Sequence, residues 1–145
     1  MSERLQSISS FIKKIPKTNL HIHIEGTIEP KQMFEFASRN KVVDLPYHNV
    51  DQVEKAFQFT GLQSFLDIYY KATTVIITEV DFYELTYAYF TKIHPENVCH
   101  IEIFFDPQAH TERGIAFETV INGIYRAMED AEKNFKITSK LIMCF

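Results

Sequence analysis

The chain contains no tryptophan and only two cysteines among 145 residues. Cys99 and Cys144 fit no Cys-x-x-Cys pattern, which argues against a disulfide framework and for a reducing, cytoplasmic compartment. Both are expected as small core residues. The opening residues, Met1-Ser2-Glu3-Arg4-Leu5, lack the apolar core of a signal peptide. No apolar run is long enough to cross a bilayer, so no membrane partner is expected. There is no basic stripe either: 15 Lys and Arg are interspersed with 19 Asp and Glu, for a net charge of −4. Nucleic-acid binding therefore has no electrostatic support. Internal repeats, low-complexity segments and linkers are absent, so residues 1–145 read as one domain.

What is present is the composition of a globular protein. Hydrophobic residues make up 46% and charged residues 23%, and aromatics are high at 14%, with 13 Phe and 7 Tyr. Residues 3–14 read as an amphipathic helix with Leu5, Ile8, Phe11, Ile12 and Ile15 on one face, ended by Pro16. A strand is expected near 18–24. Glu29-Pro30 opens a helix, because proline suits the first helical position. Its stripe is Met33, Phe34, Phe36 and Ala37. Residues 42–50 read as loop, and a short helix follows at 51–57. Residues 62–75 form a longer helix with Leu62, Phe65, Leu66, Tyr69 and Tyr70 on its apolar side. Thr78-x-x-Asp81 is a capping signature for a helix over 79–93 with Phe82, Leu85, Tyr89 and Ile93 as its stripe.

A second strand is expected at 98–105. A long helix near 116–135 follows, with Val120, Ile121, Ile124, Tyr125, Met128 and Phe135 at helical spacing. A third strand is expected from Thr138 to Phe145. Strand, helices, strand, helix, strand predicts an α/β protein with a parallel sheet. A parallel strand needs cover on both faces, and a (β/α)₈ barrel needs about 250 residues. The expectation is therefore the first part of a longer enzyme, about three of eight barrel units, with extra helices between the first two strands.

Candidate chemistry begins at Thr18-Asn19-Leu20-His21-Ile22-His23-Ile24-Glu25-Gly26. Side chains two apart on a strand share a face. Alternation puts His21 and His23 on one side, and Leu20, Ile22 and Ile24 on the other. Two neighbouring imidazoles on a rigid strand can form half of a zinc site. The spacing alone leaves open two polar residues on a wet face.

The flanking residues add a resemblance. Lys17 through Pro30 resembles the opening signature of the adenosine/adenine deaminases of the amidohydrolase superfamily. Thr60 through Tyr70 is similar to that family's aromatic lid helix, and His100 through Thr111 to its second strand. Ser139 through Phe145 resembles the strand that usually continues into an Arg-His pair. Glu-Gly-Thr-Ile-Glu-Pro and Phe-Phe-Asp-Pro-Gln-Ala-His look most like the adenine deaminase branch. Adenosine deaminases usually carry Asp at the position of Glu25, where it contacts the ribose. A longer Glu could fill space that a sugar would need.

The resemblance implies a (β/α)₈ barrel that hydrolyses adenine to hypoxanthine and ammonia in purine salvage, with one zinc ion at the C-terminal mouth. By resemblance, His21 and His23 are metal ligands, and Glu25, Leu62, Phe65 and Asp106 face the substrate. The remaining ligands, the general acid/base Glu and a second catalytic His belong to later strands, so no catalytic residue is assigned here. Expectation follows that these 145 residues alone neither deaminate adenine nor hold zinc well, and that open barrel edges favour self-association.

Plainer readings stand beside these. Glu25 can be a solvated turn residue, Leu62 and Phe65 core, and Asp106 a turn cap. His100 reads as structural, facing a neighbouring helix. His48 and His94 receive no role, and neither His100 nor His110 matches a ligand motif. An adenosine deaminase is the alternative enzyme; another His-x-His hydrolase fits the lid and second-strand motifs less well. A catalytically dead binding or assembly module is the non-enzyme alternative. Cytidine and tRNA deaminases use His-x-Glu with Pro-Cys-x-x-Cys, which does not occur here.

Overall fold

A computed structural model describes the backbone of residues 3–145 and the side chains of residues 6–145. Leu5 therefore lies outside the described side chains. Helix α1 (Glu3–Lys14) leads into strand β1 (Lys17–His23) and a 3₁₀ turn (Ile24–Thr27). Four helices follow: α2 (Pro30–Arg39), α3 (Val50–Ala56), α4 (Leu62–Thr73) and α5 (Glu79–Ile93). Then come β2 (Val98–Phe105), the single turn α6 (Gln108–Thr111), α7 (Phe117–Phe135) and β3 (Thr138–Met143). The strands form one parallel sheet in the order β1-β2-β3, as the alternation of strand and helix predicts.

Local sequence explains the element ends. Pro30 starts α2, whose Met33, Phe36 and Ala37 are buried at i, i+3, i+4 spacing. Asn49 caps α3 by accepting from the Gln52 amide. At α5, Thr78 Oγ1 accepts from the Asp81 amide at 3.2 Å, and Asp81 Oδ2 accepts from the Thr78 amide at 2.7 Å. Lys136 ends α7 in the left-handed region, with φ of 60°.

Ile101, Ile103 and Phe105 are buried on one face of β2. They meet a core that includes Ile24, Phe82, Phe90, Ile124 and Ile137. The opposite face of β2 carries His100, Glu102 and Phe104, all half-buried. His100 thus faces away from the helices, and its Nδ1 pairs with Thr138 Oγ1 of β3 at 2.7 Å. Its role is structural, but its partner is a strand and not the expected helix.

The ladder between β1 and β2 is irregular. Lys17 pairs with Val98 but Thr18 with His100; Asn19 then pairs with Ile101 but Ile22 with Ile103. One extra residue on β2 is thus followed by one extra on β1. This second bulge breaks the simple alternation. Asn19 shares the register of buried Ile101 and donates to the Tyr89 hydroxyl of α5 at 2.7 Å. Leu20, expected on the apolar side, is instead 55% exposed.

Other expected apolar positions are also exposed. Ile8, Phe11 and Ile12 of α1 are exposed. Tyr70 and Tyr125 sit at the edges of their stripes and are exposed. Neither cysteine is in the core: Cys99 falls in the first irregularity and is exposed, and Cys144 is half-buried beyond β3. No described helix is long and apolar enough to cross a membrane.

Asp81 ties α2 to α5. It is fully buried and accepts from Arg39, from Asn40 Nδ2 at 2.7 Å, and from the Ile77 amide at 3.0 Å. Arg39 also pairs with Glu84 at 2.8 Å. Burial alone would raise the Asp81 carboxyl; the amides of Thr78 and Ile77 with Arg39 and Asn40 outweigh it and hold the group below the ordinary carboxylate value.

Helices α5 and α7 form the most extensive helix pair, and Gly123 is where they come closest. A Cβ there would meet Glu79 O at 2.5 Å and Phe82 Cβ at 2.6 Å. Gly123→Ala gains helix propensity but forces the helices apart, so a net loss of about 1–3 kcal/mol is expected. A denaturant titration measures it; an unchanged midpoint would show that the helices separate without cost.

Candidate active site

The C-terminal ends of β1 and β2 bring the candidate residues together. Beyond the bulge, His21 and His23 both contact the Phe104 ring, with centroids 4.3 and 5.5 Å away, and lie 5.4 Å from each other. The two imidazoles therefore share the open face of the sheet, as their spacing predicts. Among the described residues, no ring nitrogen of either His makes a hydrogen bond; His23 Nδ1 lies 3.6 Å from Asp106 Oδ2. Unclaimed imidazole nitrogens with a carboxylate beside one ring suit a divalent ion of the zinc type.

Asp106 follows β2 and is part-buried. It accepts from the Tyr69 hydroxyl at 2.7 Å. Its carboxylate is thus aimed at the mouth and caps no turn. His23, Asp106 and Cys144 each offer an atom within 4.8 Å of the others. Cys144 is a poor ligand in this state. Burial, followed by the Asp106 carboxylate, pushes its thiol up to about 11, so it stays protonated near neutrality.

Tyr69 is buried, and burial with the nearby Glu25 and Asp106 raises its phenol far above the ordinary value. It therefore acts as a hydrogen-bond donor and not as a proton source. With Ile22, His23, Phe65, Leu66 and Asp106 it lines a cleft of about 510 Å³. Phe65 reaches this cleft from α4. Leu62 does not: it is 73% exposed, one turn earlier on α4, beside Phe59. The structure thus joins His21, His23, Phe65 and Asp106 at one mouth and leaves Leu62 outside.

Glu25 is not a solvated turn residue; it lies behind the cleft, where it borders a smaller cavity with Phe65 and Tyr69. It has no exposed surface. Its Oε1 accepts from the Asp106 amide at 2.8 Å and lies 3.3 Å from His110 Nε2, while Oε2 lies 3.3 Å from the Tyr69 hydroxyl. His110 is equally buried, and its Nδ1 lies 2.9 Å from Arg113 Nη2.

Sequence reasoning left Tyr69 in a helical stripe and His110 without a role, and did not single out Arg113. The one available signal was the i, i+3 spacing of His110 and Arg113. Cys144 gave no signal, since its neighbours come from another strand.

A family model described as adenosine deaminase matches residues 16–145. An adenine deaminase of Marinomonas sp. strain MWYL1 is 55% identical over 141 residues, covering 97% of this chain and 42% of that protein. One from Wolinella succinogenes is 53% identical over the same length. The crystal structure of an adenine deaminase from Arthrobacter aurescens superposes with a TM-score of 0.83 at 44% identity, over 87% of this chain and 38% of that one. The chain thus spans about two-fifths of the curated relatives it matches. Its three strands and their helices correspond to the N-terminal part of a (β/α)₈ barrel.

Proposed function

This chain belongs to the adenosine deaminase family, and from that premise we propose that it is the N-terminal part of a single-domain, zinc-dependent adenine deaminase. The complete enzyme would convert adenine to hypoxanthine and ammonia in purine salvage, in the cytoplasm. The observation that carries this reading is the pair of unclaimed imidazoles, His21 and His23, beside an aromatic cleft that Asp106 enters. The names of the relatives, adenine deaminases at 53–55% identity, support the free base as substrate.

His21 and His23 would hold the ion. When bound, zinc lowers the pKa of a water toward neutrality and so supplies hydroxide for attack on an aromatic amine-bearing carbon. Phe65 and Tyr69 would flank the flat base, and Asp106 would accept a hydrogen bond from it. Leu62, at the exposed start of α4, would join the wall only if that helix moves inward as a lid. Acid–base groups and further ligands are assigned to later strands.

The test is ammonia release by the full-length protein from adenine and from adenosine. We expect adenine to be preferred by at least about 100-fold in kcat/KM, the scale on which a shaped site discriminates. Preference for adenosine would move the assignment to adenosine deaminase. No release from either would remove the deaminase reading.

A further inference from the structure

We infer that Glu25 is a positioning residue, which holds Asp106 at the cleft through a hydrogen-bonded chain running from Arg113 at the surface to the buried His110 and Glu25, and acts without touching the substrate. This rests on the proposed function for the identity of the reaction, but its geometry stands alone.

Arg113 begins the chain. Its guanidinium donates to the carbonyls of Thr73, Ile76 and Ala109, which fixes it between α4 and α6. A guanidinium has donors only. His110 Nδ1 must therefore accept from Arg113 Nη2 at 2.9 Å. In a neutral imidazole that puts the proton on Nε2, the nitrogen facing Glu25 Oε1 at 3.3 Å. The tautomer of His110 is thereby set by an arginine three residues on, in the turn that follows α6.

Glu25 passes this order to the mouth. Its Oε1 also accepts from the Asp106 amide at 2.8 Å, so it fixes the backbone at the end of β2. Tyr69 holds the other end of the same residue. Its single hydroxyl proton goes to Asp106 Oδ2, the nearer oxygen at 2.7 Å, so its 3.3 Å approach to Glu25 Oε2 carries no hydrogen bond. Glu25 thus sets the backbone of Asp106, and Tyr69 sets its carboxylate. Glu25 and His110 have no exposed surface, and neither lines the cleft shared by His23, Phe65 and Asp106; Glu25 borders only a smaller cavity of about 180 Å³ behind Phe65 and Tyr69.

The chain makes a distinction between variants. Gln at 25 keeps the length: its carbonyl can accept from Asp106 and His110, and its amide can donate to the Tyr69 oxygen. Asp at 25 keeps the charge but is one methylene short of these partners. A positioning role therefore ranks Gln above Asp, whereas a role that needs negative charge at the substrate ranks Asp above Gln.

The experiment uses the full-length protein as wild type, Glu25→Gln, Glu25→Asp, Asp106→Ala and the double variant Glu25→Asp/Asp106→Ala. Adenine kinetics and melting temperature are measured for each, and ¹⁵N-imidazole spectra are taken of wild type and Arg113→Met. For Glu25→Asp we expect kcat to fall by about 100-fold, the scale of a misplacement near 1 Å, with KM changed by less than about 3-fold. Glu25→Gln should stay within about 5-fold of wild type by the same reasoning. In the Asp106→Ala background, Glu25→Asp should cost less than about 2-fold, since residues acting through one group are not additive.

The spectra should report the Nε2–H tautomer for His110 in wild type and a mixture in Arg113→Met. Effects of Glu25→Asp and Asp106→Ala that simply multiply, a rise in KM at constant kcat, Asp outperforming Gln, or an Nδ1–H wild-type tautomer would each overturn the inference. Wild-type turnover judges the proposed function separately, and the spectra read the hydrogen-bonded chain even in a protein that leaves adenine untouched.

Discussion

Alanine at His23 is expected to abolish adenine turnover in the full-length protein, with kcat down by at least about 10³-fold, or about 4 kcal/mol of lost transition-state stabilisation. His23 is the imidazole that joins both halves of the mouth. It lies beside His21, borders the cleft, and faces Asp106 at 3.6 Å. Losing one of two adjacent nitrogen donors removes a ligand that a zinc shell of four cannot spare. Metal content should therefore fall together with activity. His100→Ala is the control, because that ring bonds Thr138 at the far end of the strand. It should retain near-wild-type turnover and metal. A His23→Ala protein that keeps both its zinc and its turnover would sink the assignment.

Asp81→Ala is expected to cost about 3–5 kcal/mol of stability, the usual range when one partner of a buried ion pair is removed. The loss is large because Asp81 serves several donors at once. Arg39, Asn40 and the amides of Ile77 and Thr78 all lose their acceptor. Arg39 is partly exposed and still reaches Glu84, so the buried amides and Asn40 carry most of the penalty.

The same carboxylate sets an acid dependence. Its folded pKa lies below the unfolded value of about 3.9. Its stabilisation is therefore complete above that value and is lost as pH falls through the lower folded one. Urea midpoints across that acid range should fall more steeply for wild type than for Asp81→Asn. Parallel slopes would show that other carboxylates govern acid unfolding.

Local signals were the legible ones. β2 was readable to the residue because alternating Ile101, Ile103 and Phe105 face one core. The Thr78–Asp81 cap was readable because both partners lie within four positions. The His21/His23 pair was readable as a shared face even across an irregular strand. What was hidden depends on partners distant in sequence. Glu25 looks like a turn residue until Asp106 and His110, more than 80 positions away, supply its donors. Leu62 and Phe65 look equivalent on a helical wheel, but only Phe65 lines the mouth. Leu20 looked buried because alternation was assumed, and a bulge costs the sequence no visible signature.

The two irregularities between β1 and β2 have opposite sense, so the six residues from Lys17 to Ile22 still span the six from Val98 to Ile103. Together they act like paired frameshifts in a gene: each alone would displace everything downstream, and the second restores the frame. A single deletion near Leu20 would slide Ile22, His23 and Ile24 by one position against β2 and turn the histidine that meets Asp106 toward the helices. Grafting His-x-His onto a straight strand of another scaffold would keep the two rings in step with each other and lose their setting against the neighbouring strand.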